Sequence, residues 1–171
     1  HRGDSDAAAQ ALRTFRRREL LRLALGSILG ISETSSTAAG LTDMAAAHVE
    51  GLLSLAREGV TGVDFAVISM GRLGGREIGF SSDLDVLWVY QDAGAGDQAG
   101  ALADGIVRDV KKYGEDVLFP LELDAGLRPE GKNGPLVRSL EAYEQYYQRW
   151  ALGWEAQALL RAAHCAGDEA L

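Results

Sequence analysis

Two aspartates, Asp83 and Asp85, stand one residue apart at the head of an apolar run, Leu84-Asp85-Val86-Leu87-Trp88-Val89-Tyr90. If that run is a strand, alternation puts both carboxylates on one face, ~6–7 Å apart at their α-carbons. No basic residue lies between them, so they repel each other unless a cation sits among them. A divalent ion is the usual solution, because Mg²⁺ takes one or two carboxylates and completes its shell with water and substrate phosphate. Just upstream come Gly71, Gly74, Gly75 and Gly79, then Ser81 and Ser82. Glycines there let the backbone turn tightly and approach a ligand, so the stretch reads as a phosphate cradle followed by a metal anchor. A third carboxylate is available farther on, where Glu122 and Asp124 share a face of another strand candidate. Spacing alone does not choose between them.

A glycine-rich turn followed by Asp-x-Asp on the next strand resembles the signature of the DNA polymerase β-like nucleotidyltransferases. The longer run Met70-Gly71-Arg72-Leu73-Gly74-Gly75-Arg76-Glu77-Ile78-Gly79-Phe80-Ser81-Ser82-Asp83-Leu84-Asp85 resembles, more narrowly, the glutamine synthetase adenylyltransferase family. Asp124-Ala125-Gly126-Leu127-Arg128-Pro129-Glu130-Gly131-Lys132-Asn133-Gly134 is similar to that family's third-carboxylate strand and the loop after it. Trp154-Glu155-Ala156-Gln157-Ala158-Leu159-Leu160-Arg161 resembles its tryptophan-glutamate helix. One departure is Gly126, where the family commonly has arginine.

The resemblance implies an α/β (α+β) fold of the polymerase β-like type: a small mixed sheet with packed helices, preceded by a helical segment. It implies transfer of AMP from ATP to a tyrosine of glutamine synthetase. It selects Asp124 over Glu122, so that Asp83, Asp85 and Asp124 would carry two Mg²⁺ ions, Mn²⁺ also being suitable. Gly71, Gly74, Gly75, Ser81, Ser82, Arg128 and Lys132 are the expected nucleotide contacts, and Trp154, Glu155, Gln157 and Arg161 are expected on the nucleotide side of the cleft. A PII-type signalling protein would act through the parent chain. Family members are several times longer and hold two copies of the module. The opening His1-Arg2-Gly3-Asp4 has no initiating methionine, so one module cut from a larger parent is expected. The rival readings are the family's opposite reaction, phosphorolytic removal of AMP, and a silent module that only binds nucleotide or partner. Gly79 and the tryptophan-glutamate tail resemble the transferring module more closely. A dinucleotide-binding fold is a poorer match, since Gly71-x-x-Gly74-Gly75 misses its fingerprint.

Composition narrows the partners. With 47% hydrophobic residues in 171, the chain is globular and can bury one good core. A net charge of −8 suits neither duplex nor other nucleic-acid binding, which rests on many lysine and arginine contacts to phosphate. No run approaches the ~20 apolar residues of a membrane span, and the first residues lack a secretory pattern. The single cysteine, Cys165, excludes an internal disulfide and suits a reducing compartment; a cytoplasmic location is expected.

The positioning elements follow from periodicity. Residues 7–29 predict a helix bearing Leu12, Phe15, Leu20 and Leu23, with Arg13, Arg16, Arg17, Arg18 and Arg22 clustered on it and Glu19 placed to pair with Arg22. A second helix is predicted over 38–58, with His48 on its apolar stripe. Residues 1–61 then read as a helical connector and 62–171 as the nucleotidyltransferase domain. Within the latter, strands are expected at 65–68, 84–90 and 117–126, the last with an edge or bulge at Pro120. Helices are expected near 102–115, after the capping residue Ser139, and at 154–161. The stripe Tyr143, Tyr146, Tyr147 and Trp150 predicts packing between modules.

Overall fold

A computed structural model describes residues 2–171. Helix α1 (Arg2–Ile28) and helix α2 (Thr34–Ala56) form an antiparallel pair. Gly40 and Gly51 lie at the contact between them, against the side-chain tips of Leu23 and Leu12. A Cβ at these positions would lie 2.8 Å from Leu23 Cδ2 and 2.5 Å from Leu12 Cδ2 respectively. Strand β1 (Val63–Ser69), the one-turn helix α3 (Gly71–Gly74) and strand β2 (Leu84–Asp92) follow. Then come helix α4 (Ala99–Tyr113), the two-residue strand β3 (Leu123–Asp124) and strand β4 (Val137–Ser139). Helices α5 (Leu140–Arg149) and α6 (Gly153–Ala158) and strand β5 (Ala163–Gly167) complete the order.

The five strands make the small mixed sheet that the sequence predicts, in the order β3-β2-β1-β5, with β4 also on β2. β1 is antiparallel to β2 and to β5, whereas β3 and β4 run parallel to β2. Side-chain alternation splits the sheet into two faces. Phe65, Val67, Leu84, Val86 and Trp88 join α2 and α4 in the larger core, through Leu41, Val49, Leu52, Leu53, Ile106, Val107 and Val110. Leu87, Val89 and Met70 face Tyr143 of α5 on the other side. The aromatic stripe of α5 therefore divides: Tyr143 is core, Tyr147 is half-buried, and Trp150 is exposed. None of the helices among the described residues is long and apolar enough to cross a membrane.

Three features depart from the sequence prediction. The strand expected over 117–126 is paired only at Leu123–Asp124. The reason lies in where its backbone groups bond. The Asp116 carboxylate accepts from the N–H groups of Leu118 and Phe119, and Arg16 donates to the carbonyls of Phe119 and Pro120. Pro120 has no N–H to give, so the segment has few groups left for a ladder. The second departure is β5, whose Ala163-His164-Cys165-Ala166-Gly167 has little intrinsic strand preference. It forms because β1 offers it an open edge. The third is β4, whose three residues are too few for any periodicity to register.

The arginines of α1 do not face solvent as a group. Arg13 donates to the Tyr113 carbonyl, and Arg17 grips Asp116 through Nε at 2.8 Å and Nη2 at 2.5 Å. Arg22 pairs with Glu19 at 2.7 Å, as the spacing predicts.

Candidate active site

The centre of the site is built by register. Parallel pairing sets Leu84 opposite Leu123 and Asp85 opposite Asp124, and the Leu84 N–H donates to the Glu122 carbonyl at 2.9 Å. Neighbouring strands lie ~4.8 Å apart, so the two carboxylates meet on one face. Asp83, just ahead of β2, joins them: one oxygen from each of Asp83, Asp85 and Asp124 lies within 4.8 Å of the others. Glu122 is exposed and stands outside this group.

The electrostatics of the trio are unbalanced. None of the three carboxylates is in an ion pair among the described residues. Partial burial, followed by the charges of Asp83 and Asp124, pushes the Asp85 carboxyl above its usual range, against a hydrogen bond from the Arg72 N–H. Three carboxylates with oxygens this close and no cation of their own fit an oxygen-seeking divalent ion.

Gly71 explains part of the glycine cluster. Its φ is +51°, and a Cβ there would sit 2.3 Å from Asp85 Oδ2. The position thus demands glycine twice over, for backbone conformation and for room beside the carboxylate. The Met70 N–H donates to the Asp85 carbonyl at 2.8 Å, tying the turn to the strand. Gly74 and Gly75 answer a different need. Their N–H groups close the α3 turn on the carbonyls of Met70 and Gly71. A Cβ on Gly74 would strike the Arg161 carbonyl, and one on Gly75 would crowd Arg161 Nη1 at 2.9 Å. What approaches these two glycines is the chain itself.

The other predicted contacts are distributed as follows. Ser81 is exposed, and Ser82 Oγ accepts from the Gly79 N–H at 2.9 Å. Arg128 donates to the carbonyls of Ala125 and Gly134, so it holds the loop after β3 in shape. Lys132 is exposed and lines a cleft of about 710 Å³ together with Asp83, Asp124 and Lys111. Gly126 donates its N–H to Asp124 Oδ1 at 2.8 Å, fixing the third carboxylate from behind. On α6, Glu155 is buried and accepts from Tyr146 Oη and from the Leu152 N–H. Trp154 and Gln157 are exposed, and Arg161 pairs with Glu77 at 2.8 Å. Sequence reasoning missed Lys111, the Arg72 N–H and the buried Asp116. No local pattern marks any of them.

A mixed sheet that carries Asp85 and Asp124 on adjacent parallel strands, with Asp83 just ahead of one of them and a glycine turn beside it, defines a nucleotidyltransferase-like α/β domain. Comparison with known proteins narrows the class. A family model described as glutamate-ammonia ligase adenylyltransferase matches residues 1–171. The chain belongs to that family. A relative from Leifsonia xyli subsp. xyli is 52% identical over 171 residues, covering 98% of this chain and 17% of the relative. Relatives from Streptomyces coelicolor, at 42% over 189 residues, and Mycobacterium tuberculosis strain CDC 1551, at 44% over 178, each cover 98% of this chain. All three carry the name bifunctional glutamine synthetase adenylyltransferase/adenylyl-removing enzyme. The chain spans only 17–19% of their length.

Proposed function

We propose that this chain is an adenylyl-transferring module, moving AMP from ATP to a tyrosine hydroxyl of glutamine synthetase with release of pyrophosphate. The observation that carries the reading is the Asp85–Asp124 register, which completes an acidic trio with Asp83. In the reaction the tyrosine oxygen bonds to the α-phosphorus, the bond to the β-phosphate oxygen breaks, and the phenolic proton leaves to solvent. Asp83, Asp85 and Asp124 would hold Mg²⁺, or Mn²⁺, and two such ions when bound would acidify the attacking hydroxyl and offset charge on the leaving phosphates.

The chain's own groups divide the remaining work. Lys132, exposed in the same cleft as Asp83 and Asp124, is placed to meet phosphate charge. The Ser81 and Ser82 hydroxyls and the amide at Gly71 would meet phosphate oxygens. Arg128 keeps the β3 loop in register through Ala125 and Gly134. Gly74 and Gly75 support the site by admitting Arg161 against the turn.

The test is incubation with ATP, Mg²⁺ and unmodified glutamine synthetase, followed by intact mass. An acceptor heavier by one adenylyl group supports the reading, and an unchanged acceptor overturns it. Phosphorolytic removal is the second reading, favoured by the adenylyl-removing half of the relatives' name. ADP released from adenylylated glutamine synthetase and inorganic phosphate would reverse the direction and leave the site assignment standing.

A further inference from the structure

Beside the acidic trio the chain displays an apolar tip. Val117, Leu118 and Phe119 are 96%, 69% and 48% exposed. Consecutive large apolar side chains turned to solvent are costly unless something covers them, and contiguous patches of this kind mark interaction sites.

This tip is held in place from behind. The Asp116 side chain is only 2% exposed; it is bound by Arg17 and accepts the N–H groups of Leu118 and Phe119 at 3.0 and 3.2 Å. Arg16 donates to the carbonyls of Phe119 and Pro120. Polar groups thus secure the inner side of the loop while its apolar side chains face outward.

Its position matters as much as its shape. Val117, Pro120 and Leu121 line the cleft that contains Asp83 and Asp124. Leu118 and Phe119 stand outside that lining, so a small molecule seated in the cleft would not cover them. Phe80, 50% exposed, lines the adjoining depression with Pro120 and Leu121, which extends the apolar rim.

We infer that this rim, Val117-Leu118-Phe119 with Phe80, is the docking contact for the acceptor protein, which lays an apolar segment beside its target tyrosine; the inference rests on the AMP-transfer reading above. The occupant is a polypeptide because the patch extends beyond the cleft, and it is the acceptor because the patch is continuous with the cleft wall. Contacts of this kind, made equally in the ground and transition states, act on acceptor KM and not on kcat.

The experiment uses the full chain and a double variant, Leu118→Ser and Phe119→Ser, both outside the cleft lining, with Leu118→Asp as a second, single-site variant. Initial rates against glutamine synthetase concentration give acceptor KM and kcat, and a fluorescent ATP analogue with Mg²⁺ reports nucleotide affinity. Both variants should raise acceptor KM about tenfold or more, the scale of losing a hot-spot contact, and leave nucleotide affinity within about twofold. Unaltered acceptor KM in a variant that transfers AMP overturns the docking proposal and leaves the activity standing. Unaltered KM with a lowered melting temperature overturns it too, and assigns the rim to the stability of this chain's own fold. Failure of the unsubstituted chain to transfer AMP overturns the activity reading and, with it, this one.

Discussion

Asp85 and Asp124 are register partners on parallel neighbouring strands, although the second strand is only two residues long. Their meeting is set by backbone pairing, and by the paired Leu84 and Leu123, which pack on the larger core. A shift of one residue would turn Asp124 to the opposite face, and a shift of two would bring Glu122 into its place.

Replacing the trio one member at a time separates these possibilities. Asp83→Asn and Asp85→Asn should each abolish AMP transfer while the far-UV spectrum stays unchanged. Asp124→Asn should cut turnover by orders of magnitude, with ATP affinity changed less than about tenfold, or ~1.4 kcal/mol. Glu122→Gln should keep turnover within a few-fold of the parent. The opposite behaviour of Asp124 and Glu122 would mean that Glu122 is the third ligand.

Gly71→Ala should disable the site from the backbone side. A Cβ placed 2.3 Å from Asp85 Oδ2 must displace that carboxylate. The positive φ adds about 1–2 kcal/mol of backbone strain. Denaturant titration should therefore show a modest loss of stability beside a near-complete loss of transfer. Parent-like transfer in this variant would separate Asp85 from the chemistry.

Asp116 should govern the mobility of the apolar rim. Asp116→Ala removes the acceptor for the Leu118 and Phe119 N–H groups and the partner of Arg17. Native-state hydrogen exchange at those two amides should accelerate, with little change at Val86 or Trp88 in the sheet. Unchanged exchange would mean that Arg16 alone holds the loop.

His48 gives the fold an acid sensitivity of defined sign. Burial, and secondarily the nearby Arg16 charge, lower its imidazole to about 4; Arg13 acts the same way, while Asp116 and the Leu12 backbone oppose them. Below the ordinary value of about 6.5, the unfolded chain takes up a proton that the folded chain refuses until about pH 4. Stability should fall as pH drops through that window and level off beneath it, as far as this group is concerned. His48→Met should flatten the difference, measured as unfolding free energy at a series of pH values. A slope that persists in the variant would assign the effect to carboxylates instead.

The sequence made some of this plain. β1, the glycine turn and the Asp-x-Asp strand were legible because their pattern is local: an apolar run, four glycines, and a period of two. The α1 and α2 helices were legible from the same kind of evidence, and so was the Glu19–Arg22 pair. Asp124 was different, since spacing left Glu122 equally eligible and only the family resemblance chose. The irregular 117–122 segment, the partners of Arg16 and Arg17, and β5 were hidden. Each depends on hydrogen bonds to residues about a hundred positions away or on an edge that exists only after folding. The reading of Gly74 and Gly75 shows the same limit: glycine announced a close approach, but nothing nearby in sequence named Arg161 as the visitor.

The clasp between Arg17 and Asp116 joins residues 99 positions apart, and it has a consequence for how the molecule assembles. Closing so long a loop costs chain entropy before any contact repays it, and non-local pairings of this kind slow folding. The α1–α2 hairpin needs only neighbouring residues and is expected early. The segment that delivers Asp124 is expected to lock late, once the hairpin, the β1–β2 pair and α4 already stand. Within these residues the α1–α2 hairpin would form ahead of the β1–β2 pair, and the acidic cleft would mature after both.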